Sequence, residues 1–172
     1  MGKTVFLDRD GVINVDRKDF VKSVEELSIL PNVIDGLRLL TENGFRLIII
    51  TNQSCIARRI VNADTVNEIN RYLCEQLGKS GVKINGVYIC PHADLDNCAC
   101  RKPKTGLFLQ AAKEFGINLS DSYAIGDSKR DIVAAKTAGC RTIHVRGGKE
   151  EFVPEADYKC ENLVEAANLI MR

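Results

Sequence analysis

The sequence predicts an α/β fold, a doubly wound (Rossmann-like) parallel sheet with helices on both faces, and three observations carry that expectation. Five short apolar runs, KTVFL (3–7), FRLIIIT (45–51), GVYIC (86–90), SYAIGD (122–127) and CRTIHV (140–145), suit strands buried on both faces. Stretches with helical spacing lie between them, and such alternation of strand and helix makes a parallel sheet. Polar residues, Asp8, Thr51, Cys90 and Asp127, stand at or just past the ends of four of these runs. Ligands of an open parallel sheet collect beyond the carboxyl ends of its strands, so groups from distant parts of the chain would face one crevice.

Taken in order, KTVFL leads into Asp8, and Val33, Leu37 and Leu40 then predict a helix that stops at Asn43-Gly44. After the second strand, FRLIIIT, the positions Val66, Ile69, Leu73 and Leu77 predict another helix, with Asp64 as its cap and Gly78 as its stop. GVYIC is the third strand and SYAIGD the fourth, with Ser120 expected as a cap just before it. Ser128 or a neighbouring donor opens the next helix and Gly139 stops it. CRTIHV is the last strand, and ENLVEAANLIM reads as a final amphipathic helix. No internal repeat, low-complexity tract or long linker interrupts the series.

At 172 residues the chain fits one compact domain, 1–172, able to bury roughly 70% of its unfolded surface without crosslinks. Lys plus Arg total 24 against 23 for Asp plus Glu, and a net charge of +1 gives no general attraction for nucleic acid or an anionic membrane. No apolar run approaches the ~20 residues of a membrane span, and MGKTVFLDRD lacks the basic start and apolar stretch of a signal peptide. A cytoplasmic location is therefore expected. There, seven cysteines argue for a metal site or scattered core thiols rather than disulfides. The oligomeric state stays open, with a monomer plausible.

The chemistry starts at FLDRDGVIN (6–14), where an apolar run enters two acids and an arginine before a glycine. In an extended segment Asp8 and Asp10 share a side, and a turn at Gly11 lets the backbone wrap a ligand. Two or three acids and a backbone carbonyl suffice for Mg²⁺, with Asp127 of IGDSKRD as the third acid. A carboxylate beside that ion can attack phosphorus and form an aspartyl phosphate. On its own the pair more often serves as a solvated strand end. ITNQS (50–54) adds Thr51, Asn52, Gln53 and Ser54, small donors suited to phosphate oxygens. CRKPKTG (100–106) adds Arg101 and Lys102, a planar fork and a point charge for anions, ahead of a proline that keeps Lys102 out of a helix. In GDSKRDIVAAKTAG (126–139), Asp127 looks at the metal, Ser128 lies by the helix start, and Asp131 one turn on steadies a basic neighbour. Together the four pieces assemble a phosphoryl-transfer site.

A second metal site is written into CPHADLDNCAC (90–100). Cys90, His92, Cys98 and Cys100 make a closed tetrahedral Zn²⁺ shell of the structural type, which would pin the loop presenting Arg101 and Lys102. Cys55, Cys74, Cys140 and Cys160 have no such company; Cys74 and Cys140 read as core fillers and His144 as a satisfied core residue. Three loops would select the substrate: residues 14–21 with Asp16, Arg17, Lys18 and Asp19, residues 53–59 with Arg58 and Arg59, and the zinc loop with Arg101.

The D-x-D-G segment, the strand-end Thr, the Lys of R-K-P and the late G-D-x-x-x-D resemble the four motifs of the haloacid dehalogenase superfamily of phosphatases. That resemblance implies Asp8 as nucleophile, Asp10 as general acid and base, Thr51 and Lys102 as phosphoryl holders, and Mg²⁺ bound by Asp8, the main-chain carbonyl of Asp10, and Asp127. C-P-H with C-x-C-R-K-P is similar to the histidinol-phosphatase and heptose-bisphosphatase branch, and D-R-D-G-x-I-N-V-D, T-N-Q-S-x-I-A-R and V-R-G-G favour its heptose-bisphosphatase side. Glycine is usual in that family where Cys55 and Arg59 stand, and lysine is common where Ser128 stands; the short span from His92 to Cys98 resembles the histidinol-phosphate enzyme instead. Many relatives carry a cap domain, but Gly11 to Pro31 is too short to fold as one. The implied activity is removal of phosphate from a small phosphorylated sugar, a heptose bisphosphate ahead of histidinol phosphate. A receiver-like Mg²⁺ module and a zinc-centred interaction protein are the readings from other classes.

Overall fold

The computed structural model describes residues 3–146 and 153–172; Gly147 and Gly148 of the V-R-G-G stretch lie outside them. Among the described residues, β1 (Thr4–Leu7), β2 (Arg46–Asn52), β3 (Ile84–Cys90), β4 (Tyr123–Gly126), β5 (Arg141–Val145) and β6 (Tyr158–Cys160) form one sheet of order β3-β2-β1-β4-β5-β6. Every pairing is parallel, with Leu7 opposite Ile49 on one side and Ile125 on the other. The five expected strands are present. The sixth was not legible, because Tyr-Lys-Cys is three residues long and two of them are exposed.

The chain steps outward from β1 to β2 and β3, then returns to β4 on the other side of β1. That reversal opens a crevice at the carboxyl ends of β1 and β4, where Asp8 and Asp127 follow directly. The strands read as unbroken apolar runs because both faces are covered. Val5, Leu7, Leu47, Ile49 and Ile125 pack with α1 (Val33–Glu42), α2 (Ala63–Lys79) and α5 (Leu163–Ile170). Phe6, Ile48, Ile50 and Ala124 point the other way, into α3 (Gly106–Phe115) and α4 (Lys129–Ala138). Cys140 belongs to that second cluster, as expected for a core thiol, whereas Cys74 is only half-buried on α2.

Helix ends depart from the expectation at two places. Asn62, in extended conformation, caps α2 by accepting from the Thr65 amide at 2.8 Å, so Asp64 lies inside the first turn, and the helix runs past Gly78 to Lys79. Ser120 sits within a 3-10 turn (Leu119–Asp121) whose cap is Asn118. Ser128 and Asp131 form a capping box at the start of α4, and Gly139 ends it at φ 99. Between Gly11 and Pro31 there is only a 3-10 turn at Val24–Glu26 and isolated bridges from Asn14 to Asp10 and Ile29, so no cap domain is inserted there. No helix among the described residues is long and apolar enough to cross a membrane.

Arg59 adopts φ 57, in the left-handed region, on an exposed turn whose amide donates to Ile56 O at 2.9 Å. A β-carbon is penalised there by about 1–2 kcal/mol, part of which a glycine gives back through the freedom of the unfolded chain. Arg59→Gly is expected to stabilise the fold by about 0.5 kcal/mol, read as a higher urea midpoint at constant slope.

Candidate active site

Strand β1 ends at Leu7, and the Asp8 amide donates to Ile125 O at 3.0 Å, which ties the first acid to the end of β4. The chain then curls, with Arg9 O accepting from the Ile13 and Asn14 amides at 2.8 and 3.1 Å and Gly11 at φ 87. Only glycine fits at 11, because a β-carbon would stand 2.0 Å from Asp127 Oδ2. Gly126 is similarly constrained, since a β-carbon there would meet Asp131 Cβ at 2.3 Å. These close approaches bring β1 and β4 together at their carboxyl ends.

Asp8, Asp127 and Asp131 each offer an oxygen within 4.8 Å of the others. Lys102 enters from the far loop and places Nζ 2.8 Å from Asp8 Oδ1, 2.7 Å from Asp131 Oδ1 and 2.8 Å from Ile50 O. Burial alone would lower the Lys102 ammonium's pKa, but Asp131 and Asp8 raise it above its ordinary value. Asp131 is driven up by burial, yet Lys102 and the Ser128 hydrogen bonds hold it below the usual carboxylate range. Asp8 goes the other way: burial pushes it up to about 7, against Lys102 and with help from Asp131. Asp127 is pushed up to about 8, first by burial and then by the charges of Asp8 and Asp131. Were all three carboxylates ionised, one ammonium would leave two negative charges in a buried cluster, and the raised Asp8 and Asp127 reflect that cost. A divalent cation with oxygen ligands fits that donor set and that charge.

Asp10 is not part of this cluster. The chain curls after Leu7, and Asp10, though it lines the same cleft as Asp8, takes partners of its own. Its carboxylate accepts from Arg9 Nη2 at 2.9 and 3.0 Å, Asn14 Nδ2 at 2.9 Å and Gln53 Nε2 at 2.7 Å. Gln53 also donates to Thr51 Oγ1 at 2.9 Å, and Arg9, only 1% exposed, donates to Asn70 Oδ1 on α2 at 2.9 Å. Asn52 is occupied differently: its amide makes reciprocal 3.1 Å bonds with the backbone N–H and C=O of Lys102. His144 is a core residue, buried on β5, with Nε2 2.9 Å from Asp127 O.

The thiols of Cys90, Cys98 and Cys100 lie 3.3–3.6 Å apart, and His92 Nδ1 is 3.3 Å from the Cys100 sulfur. The edge of a tetrahedral zinc–thiolate shell is about 3.8 Å, so the four donors could close on one ion. All seven cysteines are free. Burial pushes the Cys90 thiol up to about 12, whereas hydrogen bonds from Cys100 and nearby backbone outweigh burial and bring Cys98 down to about 6. A ready thiolate among protonated partners is the state from which a metal displaces protons. The next residue, Arg101, is buried and donates from Nε to Asp94 Oδ1 at 2.7 Å and from Nη1 to His92 O at 3.2 Å.

These groups line a cleft of about 400 Å³. Asp8, Asp10, Thr51, Lys102, Asp127 and Asp131 form its floor, and Asp16, Arg17, Lys18, Asn52, Gln53, Ser54, Arg101 and Ser128 line it as expected. Asp19 does not: it is exposed and pairs with Arg17 and Lys22. Arg59 is also outside, while Arg58 lines the cleft. The Ser128 hydroxyl is spent on Asp131 Oδ2 at 2.6 Å. Sequence reasoning missed Arg130, Asp94 and Phe20, the last at φ 64. Arg130 was findable as the residue immediately before Asp131 in the same turn; Asp94 and Phe20 carry no local signal.

Residues 99–166 match the HAD-hydrolase-like family model. A D-glycero-beta-D-manno-heptose-1,7-bisphosphate 7-phosphatase of Bordetella bronchiseptica is 35% identical over 99% of this chain and 98% of its own. The chain belongs to the heptose-bisphosphate phosphatase family of haloacid dehalogenase-like hydrolases. Another member, from Neisseria meningitidis serogroup A, is 40% identical over 86% of this chain and 79% of its own. The crystal structure of the D,D-heptose 1.7-bisphosphate phosphatase from B. bronchiseptica complexed with magnesium and phosphate superposes with a TM-score of 0.92, at 35% identity and 98% coverage of both chains. Membership decides against the receiver-like module and the zinc-centred interaction protein.

For a haloacid dehalogenase-like phosphatase with this acid cluster, the sign of a pH effect follows. Asp8 and Asp127 have folded pKa values raised above the unfolded one, so the metal-free fold binds more protons and loses stability as pH climbs from about 4 through 7 and 8. A divalent cation relieves the repulsion and competes with those protons. The rise in Tm on adding magnesium chloride is expected to be larger at pH 8 than at pH 6, by differential scanning fluorimetry; an equal rise would contradict a cation held by these carboxylates.

Proposed function

We propose that this chain is a Mg²⁺-dependent phosphatase that removes the C7 phosphate of D-glycero-D-manno-heptose 1,7-bisphosphate through an aspartyl phosphate on Asp8. The carrying observation is the separation of the two acids: Asp8 shares the buried Lys102 ammonium with Asp131, whereas Asp10 is held outside that cluster by Arg9, Asn14 and Gln53. One acid is thus placed for attack and the other for proton transfer. The names of the relatives support the substrate.

Asp8 and Asp127, with the main-chain carbonyl of Asp10, would hold the ion. Bound Mg²⁺ supplies positive charge that offsets the carboxylates and the phosphate oxygens. An Asp8 oxygen bonds to phosphorus while the bond from phosphorus to the sugar oxygen breaks, and Asp10 in its acid form gives that oxygen a proton. Asp10, now a carboxylate, takes a proton from water as the water oxygen attacks phosphorus. The bond to Asp8 then breaks, releasing inorganic phosphate and the original carboxylate. Lys102 and the Thr51 hydroxyl hold the phosphoryl oxygens, and Asp131 keeps the ammonium aimed. Cys90, His92, Cys98 and Cys100 would hold a structural Zn²⁺, whose part would be to fix the loop that carries Lys102.

The substrate choice rests on the mouth. Arg17, Lys18, Arg58, Arg101 and Arg130 give it an excess of cations, which suits a second phosphate and opposes the positive amine of histidinol phosphate. Every residue named comes from one chain, so a monomer acting as a single domain, 1–172, suffices, and a reducing cytoplasm suits its free thiols. With Mg²⁺ present, phosphate release from heptose 1,7-bisphosphate should be more efficient in kcat/KM than from histidinol phosphate, and the reverse order sinks the assignment. Asp10→Asn should lower kcat about 100- to 10,000-fold while keeping the magnesium-induced Tm rise; unchanged turnover would remove Asp10 from proton transfer.

A further inference from the structure

At the mouth of the cleft one ion pair has unequal partners. The Arg101 side chain is 10% exposed, and Asp94, to which it donates at 2.7 Å, is 73% exposed. Arg101 needs no help from Asp94 to stay in place. Its Nη1 is anchored on His92 O at 3.2 Å, its carbonyl accepts from the Lys104 amide at 2.9 Å, and it lies between Cys100 of the metal cluster and Lys102, whose backbone Asn52 clamps. Asp94 starts a three-residue 3-10 turn whose next side chain, Leu95, is 98% exposed, so little packing restrains it. The guanidinium is therefore the fixed partner and the carboxylate the movable one. Arg58 and Arg130 line the same cleft as this pair.

We propose that Asp94 is an internal counter-anion, seated on Arg101, which with Arg58 and Arg130 receives the second phosphate of a bisphosphate substrate, and displaced when that phosphate binds. The proposal rests on the bisphosphate reading given above. One carboxylate among Arg58, Arg101 and Arg130 leaves two positive charges, which a phosphate near its dianionic form matches and a single carboxylate does not. A phosphate also offers three acceptor oxygens to the Arg101 fork, where Asp94 engages Nε alone within 3 Å. Because the carboxylate of the pair is largely exposed, solvent screens it and a dianion can displace it, while weaker anions meet an occupied site. Asp94 thus raises the threshold for binding at the mouth and sharpens selection for a second phosphate.

The test compares wild type with Asp94→Asn and Asp94→Ser on heptose 1,7-bisphosphate and on p-nitrophenyl phosphate, which carries one phosphate. Removing the counter-anion should raise the ratio of KM for p-nitrophenyl phosphate to KM for the bisphosphate by about two- to fivefold in both variants, through a lower KM for the bisphosphate. A higher KM for the bisphosphate would mean that Asp94 orients Arg101, and would overturn the proposal. So would an unchanged ratio, or an equal fall in KM for both substrates. The substrate assignment fails separately, through a wild type that prefers a different bisphosphate, and the Asp94 comparison is then read on that compound.

Discussion

The rest of the site depends on a single ammonium placed among buried carboxylates. Lys102 Nζ lies within 2.8 Å of both Asp8 and Asp131 at a point where the sheet offers almost no solvent. Losing one partner of such a buried pair costs about 3–5 kcal/mol, because the remaining charge is left without compensation. Much of the surrounding architecture can be understood as keeping that geometry. Asn52 at the end of β2 clamps the Lys102 backbone, Ser128 shares Asp131 as its capping partner, and Gly11 and Gly126 leave room for Asp127 and Asp131. With its carboxylates ionised the arrangement lacks two positive charges, which suits the cluster to receive a divalent cation.

Two acids two positions apart end in different surroundings because β1 stops between the core and the turn. Asp8 stays with the strand ends and feels burial, while Asp10 is carried round by the turn at Arg9 and Gly11. Arg9 is the hinge of that division. Its guanidinium is nearly inaccessible, and it ties Asp10 to Asn70 on α2, so a helix that contributes nothing to the cleft lining still fixes the second acid. A charged residue at the lip of a core is stable here because its donors are directed at a carboxylate and an amide oxygen.

The metal-capable loop adds a second kind of control. Cys90 ends β3 and Cys98 and Cys100 return to it, which brings Arg101 and Lys102 to the crevice from a strand on the far side of the sheet. With no cap domain inserted between Gly11 and Pro31, the rim is built from short loops, and charge rather than enclosure is left to select what enters. The Asp94–Arg101 pair belongs to that rim: its strength is set by solvent, and its partners differ in how firmly they are held.

Strand and helix alternation, the positions of Asp8, Thr51, Lys102 and Asp127, and the Cys–His cluster were fixed by the sequence itself, since apolar runs, strand-end polarity and ligand spacing are local properties. Local signals pointed to Asp64 as the cap of α2, and the extended backbone at Asn62, which lets its side chain accept from the Thr65 amide, gave that role to Asn62 instead. The short edge strand β6, the outward turn of Asp19 and the entry of Phe20, Asp94 and Arg130 into the cleft depended on packing between segments far apart in the chain. So did the use of Gln53 and Asn52 as supports for Asp10 and Lys102 rather than as free donors. Residue types state which bonds a side chain is able to make, but which partner it finds is decided when the strand order brings β1, β2 and β4 side by side and desolvates the groups at their ends.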